Sequence, residues 1–552
     1  MTQENNRCII MGWDGATWDL LKPWAANGTL PNLARMLEGG AHGVMDSTIP
    51  PLTPTAWTSI YTGMNPGKHG VFGFTLRPRE TVASDGSGDI ALVSSKNISA
   101  PKIWHILNAH GLKTGLVNLP ITYPPEPVDG FMLTGMMTPG GLTKHGSCYP
   151  AELVSEVEEK IGMEYIVDVA IEGSADDFLG RLEQAMTIRE RTIEELVDNK
   201  PWDLFFGVSV IPDRIQHIFW KYIMPGSDLY NSAEAVRLRP RIMKLYVRLD
   251  DLLGRLMDRL DERTFIVLIS DHGFTSLRKA IYVNNWLEKE GLLTVKASQT
   301  PVRKVMKSIN ITFLKKLVPL SWVKRAKKHT NATIDWSKTK AFATTPDVHG
   351  IFINVKGREP NGIVEPGAEY DALCDELIAK LTELKDPADQ EPLVERVYRN
   401  KELFSGDFSE NGPDLVIVTK NENFAVSDNL FEKQMVKSLE NTAQGDHEKP
   451  GVIAFYGANI NKGVMLEKCD VMDVTPTVLH GMGLPALDEM DGSALNDVFD
   501  RALPSAADAK KISASELLNK VNDLNNDSDD DVYTDGESDA IKKHLKALGY
   551  LN

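Results

Sequence analysis

Thr264-Phe-Ile-Val-Leu-Ile-Ser270, followed directly by Asp271-His272-Gly273, is the stretch that decides the fold. A run of apolar, largely β-branched residues with no polar alternation reads as a strand buried on both faces, the kind found in parallel sheets covered by helices. Two further runs have the same form. Arg7 to Met11 (RCIIM) leads into Gly12-Trp13-Asp14-Gly15, and Leu204 to Val210 (LFFGVSV) leads to Pro212-Asp213. Each run ends on an aspartate. Open α/β sheets bind ligands beyond the carboxyl ends of their strands, so the three carboxylates are predicted to converge on one site.

Further strands are predicted at Thr114 to Asn118, Ile351 to Val355, Asp414 to Val418 and Val452 to Phe455. Helices are predicted at Leu33 to Leu37, stopped by Gly39-Gly40, and over the periodic stretches 151–162, 176–198 and 240–260. The fold class implied is α/β, a mostly parallel sheet sandwiched between helices, with an inserted lid or cap. The expected layout is a first part of the core at 1–290, a basic insertion at 291–345, a second part of the core at 346–503, and an acidic linker with a short helix at 504–552.

The 552 residues carry a formal net charge of -17, which argues against general affinity for nucleic-acid backbones. It does not exclude an anionic substrate, because bound cations reverse the field locally. The four cysteines, Cys8, Cys148, Cys374 and Cys469, lie far apart and form neither a disulfide framework nor a thiolate zinc site. No secretory leader or membrane-spanning stretch is read, so a cytoplasmic location is expected.

Several short motifs place oxygen and imidazole donors where they can meet a metal. In Asp213-Arg214-Ile215-Gln216-His217, a helix would set Asp213 and His217 on one face; surface pairing would explain the same spacing. Asp271 and His272 can both face one site only where the backbone turns, which Gly273 is expected to allow. His447, in Gly445-Asp446-His447 before the strand at Val452, reads alone as a loop histidine. Asp14, between Gly12 and Gly15, reads equally as a turn carboxylate. Thr53, in Pro50-Pro51-Leu52-Thr53-Pro54-Thr55-Ala56-Trp57, reads as a helix N-cap with proline at the first helical position. The same placement aims its hydroxyl and free backbone N–H groups at an anion.

Taken in order, GWDG (12–15), PPLTPTAWTSIYTGMNPGKHG (50–70), VNLPITYPPEP (117–127), PDRIQH (212–217), SDHG (270–273) and GDH (445–447) resemble the alkaline phosphatase superfamily, in its type I phosphodiesterase/nucleotide pyrophosphatase branch. The resemblance spans about residues 7–495. It implies a hydrolase of phosphodiester or pyrophosphate bonds using two divalent metal ions, zinc first, with manganese or iron also suited to the donors. Asp14, Thr53, Asp271 and His272 would surround one metal, and Asp213, His217 and His447 the other. Thr53 would be the nucleophile and carry a covalent intermediate. His69 would be structural.

One position departs from the branch. An asparagine that helps hold the phosphate oxygen is replaced, by ungapped counting from Thr53, by Phe74. Phosphate binding then falls to the metals, the helix N-terminus or the insertion, and nucleotide specificity does not carry over. A phosphomonoesterase or phosphotransferase on the same scaffold, or a metal-binding scaffold protein, is the alternative. A sulfatase is not, since Thr53-Pro54-Thr55-Ala56-Trp57 offers no Cys or Ser for formylglycine. The substrate expected is a phosphorylated small molecule or a lipid-linked phosphate; the oligomeric state is not legible.

Residues 301–329 hold nine Lys or Arg and no acid among apolar positions. They read as a solvated helical insertion, as a lid for an anionic substrate, or as a segment touching a membrane surface. The acidic run NNDSDDDVYTDGESD is not an EF-hand, because Val532 stands where glycine is required. It reads as a linker to a terminal helix bearing Ile541, Leu545 and Leu548 on one face.

Overall fold

The computed structural model describes residues 6–76, 91–139, 146–297, 333–344, 349–439, 442–500, 512–524 and 532–548. The basic stretch 301–329 and the first part of the acidic run, 525–531, lie outside them. The chain forms two compact units. One is drawn from Met1–Val71, Val93–Ser276 and Ala443–Ala547, the other from Phe72–Leu92, Leu277–Thr442 and Leu548–Asn552.

The first unit is built on a sheet of nine strands: β1 (Arg7–Trp13), β2 (Ala41–Asp46), β3 (Thr114–Leu119), β4 (Gly130–Thr134), β5 (Cys148–Tyr149), β6 (Leu204–Ser209), β7 (Thr264–Ile269), β10 (Pro450–Gly457) and β11 (Val464–Asp470). Their order is β11-β2-β10-β7-β1-β6-β3-β4-β5. Beside it, β8 (Gly273–Ser276) pairs with β9 (Gly445–Glu448). Strands β7, β1, β6, β3 and β4 run parallel, while β10 and β5 run against them. The three aspartate-ending runs are the three central neighbours, every residue of β6 and β7 being buried. Ile9 and Met11 join one core with Phe205, Ile266 and Leu268. Cys8, Ile10, Val267 and Ile269 are buried on the other face. Continuous apolar runs therefore mark strands with both faces covered.

The predicted helices form at Pro31–Gly39, Leu153–Ile161, Ala175–Asn199 and Ala233–Met257. The last starts before 240 because Ser232 caps it, its hydroxyl accepting from Ala235 N at 3.2 Å. Within the expected linker, Ala514–Leu524 is also a helix: Ser513 Oγ accepts from Glu516 N at 3.2 Å, and Ile512 and Leu517 are buried. The terminal helix spans Asp535–Leu548 with Ile541 and Leu545 buried, as expected. All four cysteines are free and buried. No helix among the described residues is long and apolar enough to cross a membrane.

The second unit holds an antiparallel sheet ordered Ala341–Phe342, Gly350–Ile353, Leu415–Thr419, Val394–Arg399, and a three-stranded sheet of Phe424–Ser427, Lys279–Tyr282 and Val436–Ser438. Leu373, Leu377, Ile351 and Leu415 share its core. The strands between 346 and 442, placed by the sequence reading with the main core, thus have a core of their own. Phe74, also in this unit, is fully buried.

The segment VNLPITYPPEP is pinned by Glu126. Its carboxylate accepts from Lys102, from Trp104 Nε1 at 3.0 Å and from His105 Nε2 at 3.0 Å. Burial alone would push Glu126 up, but Lys102 and His105 outweigh it and hold the acid well below the usual carboxylate range. Glu126→Gln leaves Lys102 as a buried, weakly compensated charge and should cost about 3 kcal/mol. A carboxylate depressed in the folded state stabilises above its unfolded pKa and loses that contribution as pH falls through the folded value. Thermal melts of variant and wild type should therefore differ most at neutral pH and converge only in strongly acid solution.

Candidate metal centre

Strand register brings the carboxylates level. Gly12 pairs with Ile269, so Asp14 and Asp271 each lie two residues past a paired position. Trp13 pairs with Ser209, and the chain then turns into helix α2 (Ile211–Ile223), with Asp213 in its first turn. Strand β10 enters the sheet from this same end because it runs against β7, and that carries the preceding β9 and His447 there as well. Thr53 opens helix α1 (Thr53–Thr62). The seven side chains named from the sequence are all at least nine-tenths buried.

Within the cluster, Asp213 Oδ1 lies 3.2 Å from His217 Nε2 and 3.3 Å from His447 Nε2, and the two imidazole nitrogens are 3.0 Å apart. His272 Nε2 lies 3.3 Å from Asp271 Oδ2, 3.8 Å from Asp14 Oδ1 and 3.2 Å from the Thr53 hydroxyl. Donor atoms of Asp14, Asp271 and His272 fall within 4.8 Å of one another, and so do those of Asp213, His272 and His447. His272 is thus common to two groups of potential ligands, and its ring stacks on that of His447 with centroids 3.5 Å apart.

Backbone carbonyls set the imidazole tautomers. His272 Nδ1 donates to Gly273 O at 3.1 Å and His447 Nδ1 to Pro51 O at 2.9 Å. Each Nε2 then presents a bare lone pair to the cluster, the arrangement that outer contacts impose on metal-binding histidines. Asp14 Oδ1 and Asp271 Oδ2 are buried without a hydrogen-bond partner. A buried acceptor left so is costly. Burial, then Asp213, pushes the Asp14 carboxyl up, and burial, then Asp14, does the same to Asp271. Burial also raises Asp213, but His217 and Arg214 outweigh it and hold the acid well below its usual range. Orphaned oxygens, crowded carboxylates and aligned nitrogen lone pairs form a donor set that fits divalent cations.

Two local readings need correction. Thr53 is the first helical residue and not the cap: Leu52 O accepts from Ala56 N at 2.8 Å, and Leu52 has no capping side chain. The Thr53 hydroxyl is therefore not spent on the helix end. Gly273 does not have a positive φ. Glycine is required because a Cβ there would come within 2.0 Å of Pro450 O. The glycine with left-handed geometry is Gly15 (φ 68°), whose N–H donates to Asp271 Oδ1 at 3.1 Å.

His69 is structural, as expected. Its Nδ1 accepts from Val71 N at 3.2 Å, its Nε2 donates to Ser59 Oγ at 3.0 Å, and burial lowers it to about 3.

Three buttresses escaped the sequence reading. Trp57 Nε1 donates to Asp14 Oδ2 at 3.0 Å, and its ring fills the space that a Cβ on Gly12 would need. Phe274 sets its ring against His217, His272 and His447 at 4.9, 5.8 and 5.2 Å between centroids. Arg214, fully buried, pairs with Asp213. An arginine directly after Asp213, in a helix whose first nine residues are all buried but Ile218, was the available signal for the last.

A family model described as type I phosphodiesterase / nucleotide pyrophosphatase matches residues 8–448. No curated protein sequence gives a significant match. Among solved structures, murine ectonucleotide pyrophosphatase / phosphodiesterase 5 is 16% identical with a TM-score of 0.48, over 90% of this chain and 100% of that one. An inactive form of the same murine protein in complex with AMP is 15% identical with a TM-score of 0.47, at 90% and 100% coverage.

Proposed function

Because the chain belongs to the type I phosphodiesterase / nucleotide pyrophosphatase family of phosphohydrolases, we propose that it cleaves a phosphodiester or pyrophosphate bond through a covalent intermediate on Thr53. Asp14, Thr53, Asp271 and His272 would hold one divalent cation and Asp213, His217 and His447 another. When bound, such cations neutralise the phosphoryl oxygens and lower the pKa of adjacent hydroxyl groups. The mixed oxygen and imidazole donors suit zinc, and also manganese or iron. The observation that carries the reading is the Thr53 hydroxyl lying 3.2 Å from Nε2 of His272, whose donor atom clusters within 4.8 Å both with those of Asp14 and Asp271 and with those of Asp213 and His447.

Thr53 Oγ1 bonds to phosphorus and loses its proton; the bond to the leaving oxygen breaks, and that oxygen takes up a proton. Water then attacks the phosphothreonyl group, and Thr53 Oγ1 departs and regains its hydrogen. Trp57 keeps Asp14 oriented, Gly15 does the same for Asp271, and the carbonyls of Gly273 and Pro51 hold the two imidazoles. The burial of the cluster excludes bulk water.

Two successive displacements, each inverting phosphorus, return its original configuration. Hydrolysis of a chiral phosphorothioate diester in isotopically oxygen-labelled water, which keeps the monoester product chiral at phosphorus, should therefore proceed with retention. Inversion would mean direct attack by water and would remove Thr53 as nucleophile.

The substrate we assign is a phosphorylated small molecule or a lipid-linked phosphate, met in the cytoplasm. The nine basic residues of 301–329 support an anionic one. Neutralising Lys315, Lys316, Lys327 and Lys328 should raise KM at low ionic strength and lose that effect at high salt. An unchanged KM at low salt would leave these residues as a solvated insertion.

A further inference from the structure

The two oxygens of Asp213 are divided between different tasks. Oδ1 faces His217 and His447, while Oδ2 accepts from the Arg214 guanidinium. The remaining donors of Arg214 make a forked pair with Asp168, Nε to Oδ1 at 3.1 Å and Nη2 to Oδ2 at 2.6 Å. Asp168 Oδ2 in turn meets His544 Nε2 at 3.0 Å. His544 belongs to the terminal helix α3 (Asp535–Leu548), 376 positions away in sequence.

That helix is docked by more than this contact. Ile541 and Leu545 are buried. Tyr533, just before it, donates to Val93 O at 3.1 Å or Met137 O at 3.2 Å, and its ring stacks on Tyr123. Lys543 pairs with Glu172 at 2.6 Å. Apolar packing would hold the helix without the charged contact.

An arginine fully buried beside a cluster built for cations is an expensive way to fill space, since a packed apolar residue of similar volume is often neutral or better. Its geometry suggests a use. By occupying Oδ2, Arg214 leaves Oδ1 turned toward His217 and His447, and its forked pair with Asp168 fixes the guanidinium plane. We propose that Arg214, Asp168 and His544 form a positioning relay through which the terminal helix sets the Asp213 carboxylate for cation binding. This rests on Asp213 being a metal ligand, as argued above.

The test compares His544→Ala, His544→Gln, Lys543→Ala and Asp168→Asn with wild type in the full chain. Zinc affinity is read by competition with a chromophoric chelator, kcat and KM with bis-p-nitrophenyl phosphate, and stability by thermal melting. Loss of an outer partner of a metal ligand weakens binding by about tenfold or more. His544→Ala should therefore bind one of its two zinc ions about tenfold more weakly and lose kcat while keeping its KM. His544→Gln, which keeps a donor for Asp168, should restore both, and Asp168→Asn should reproduce the alanine defect. Lys543→Ala breaks only the Glu172 pair and should leave zinc affinity unchanged. Wild-type zinc affinity and kcat in His544→Ala and Asp168→Asn, whatever their melting temperatures, would overturn the relay and leave a docking contact. A wild-type protein that binds no zinc would instead overturn the functional reading beneath it.

Discussion

Thr53→Ala is expected to lower turnover of a phosphodiester by about 10⁴-fold or more, the scale seen when a covalent nucleophile is deleted. The loss should appear in kcat, because the hydroxyl makes its decisive bond only as the reaction proceeds. Stability should barely change. Thr53 is buried, but it is not the helix cap, so its removal forfeits neither a capping bond nor a large packed volume. Zinc should still bind, since three donors of that group remain. Thr53→Ser keeps the attacking oxygen and should retain measurable turnover. If Thr53→Ala kept activity within a few-fold of wild type, the nucleophile would have to be sought elsewhere.

Stripping the cations should be nearly as damaging. Charge neutralisation of the phosphoryl group contributes several kcal/mol, so a chelator should lower kcat/KM by about 10³-fold or more, at about 1.4 kcal/mol per decade. Added zinc should restore it. Asp271→Asn separates this from damage to the fold. The amide still offers an oxygen to the Gly15 N–H, but the charge beside His272 is gone. The variant should melt near the metal-free wild type and recover little activity with zinc. Full activity in exhaustively chelated protein would place the chemistry outside this cluster.

The ends of the central strands were legible because burial on both faces leaves a sequence mark. A strand such as Thr264–Ile269 has no solvent side on which polar residues could alternate. The same physics hid Val394–Arg399, where Glu395 and Arg396 are exposed, so the segment carries no apolar run. The candidate ligands were readable in type and spacing; which of their donor atoms cluster together was not. That His272 stands between two sets follows from register across β7 and from the β8–β9 pairing, which only the folded chain supplies. Trp57 and Phe274 read as ordinary core residues and reach the site through tertiary packing. Gly273 was recognised as necessary for the wrong reason: its need comes from Pro450, 177 positions later, and not from its own dihedral angles.

The most direct measurement is anomalous X-ray diffraction at the zinc edge from crystals of the zinc-loaded protein. Two peaks should appear, one bounded by Asp14, Thr53, Asp271 and His272, the other by Asp213, His217 and His447, at the roughly 2.0–2.2 Å expected for nitrogen and oxygen ligands. A cluster with no anomalous density, in crystals whose zinc sits elsewhere, would contradict the account.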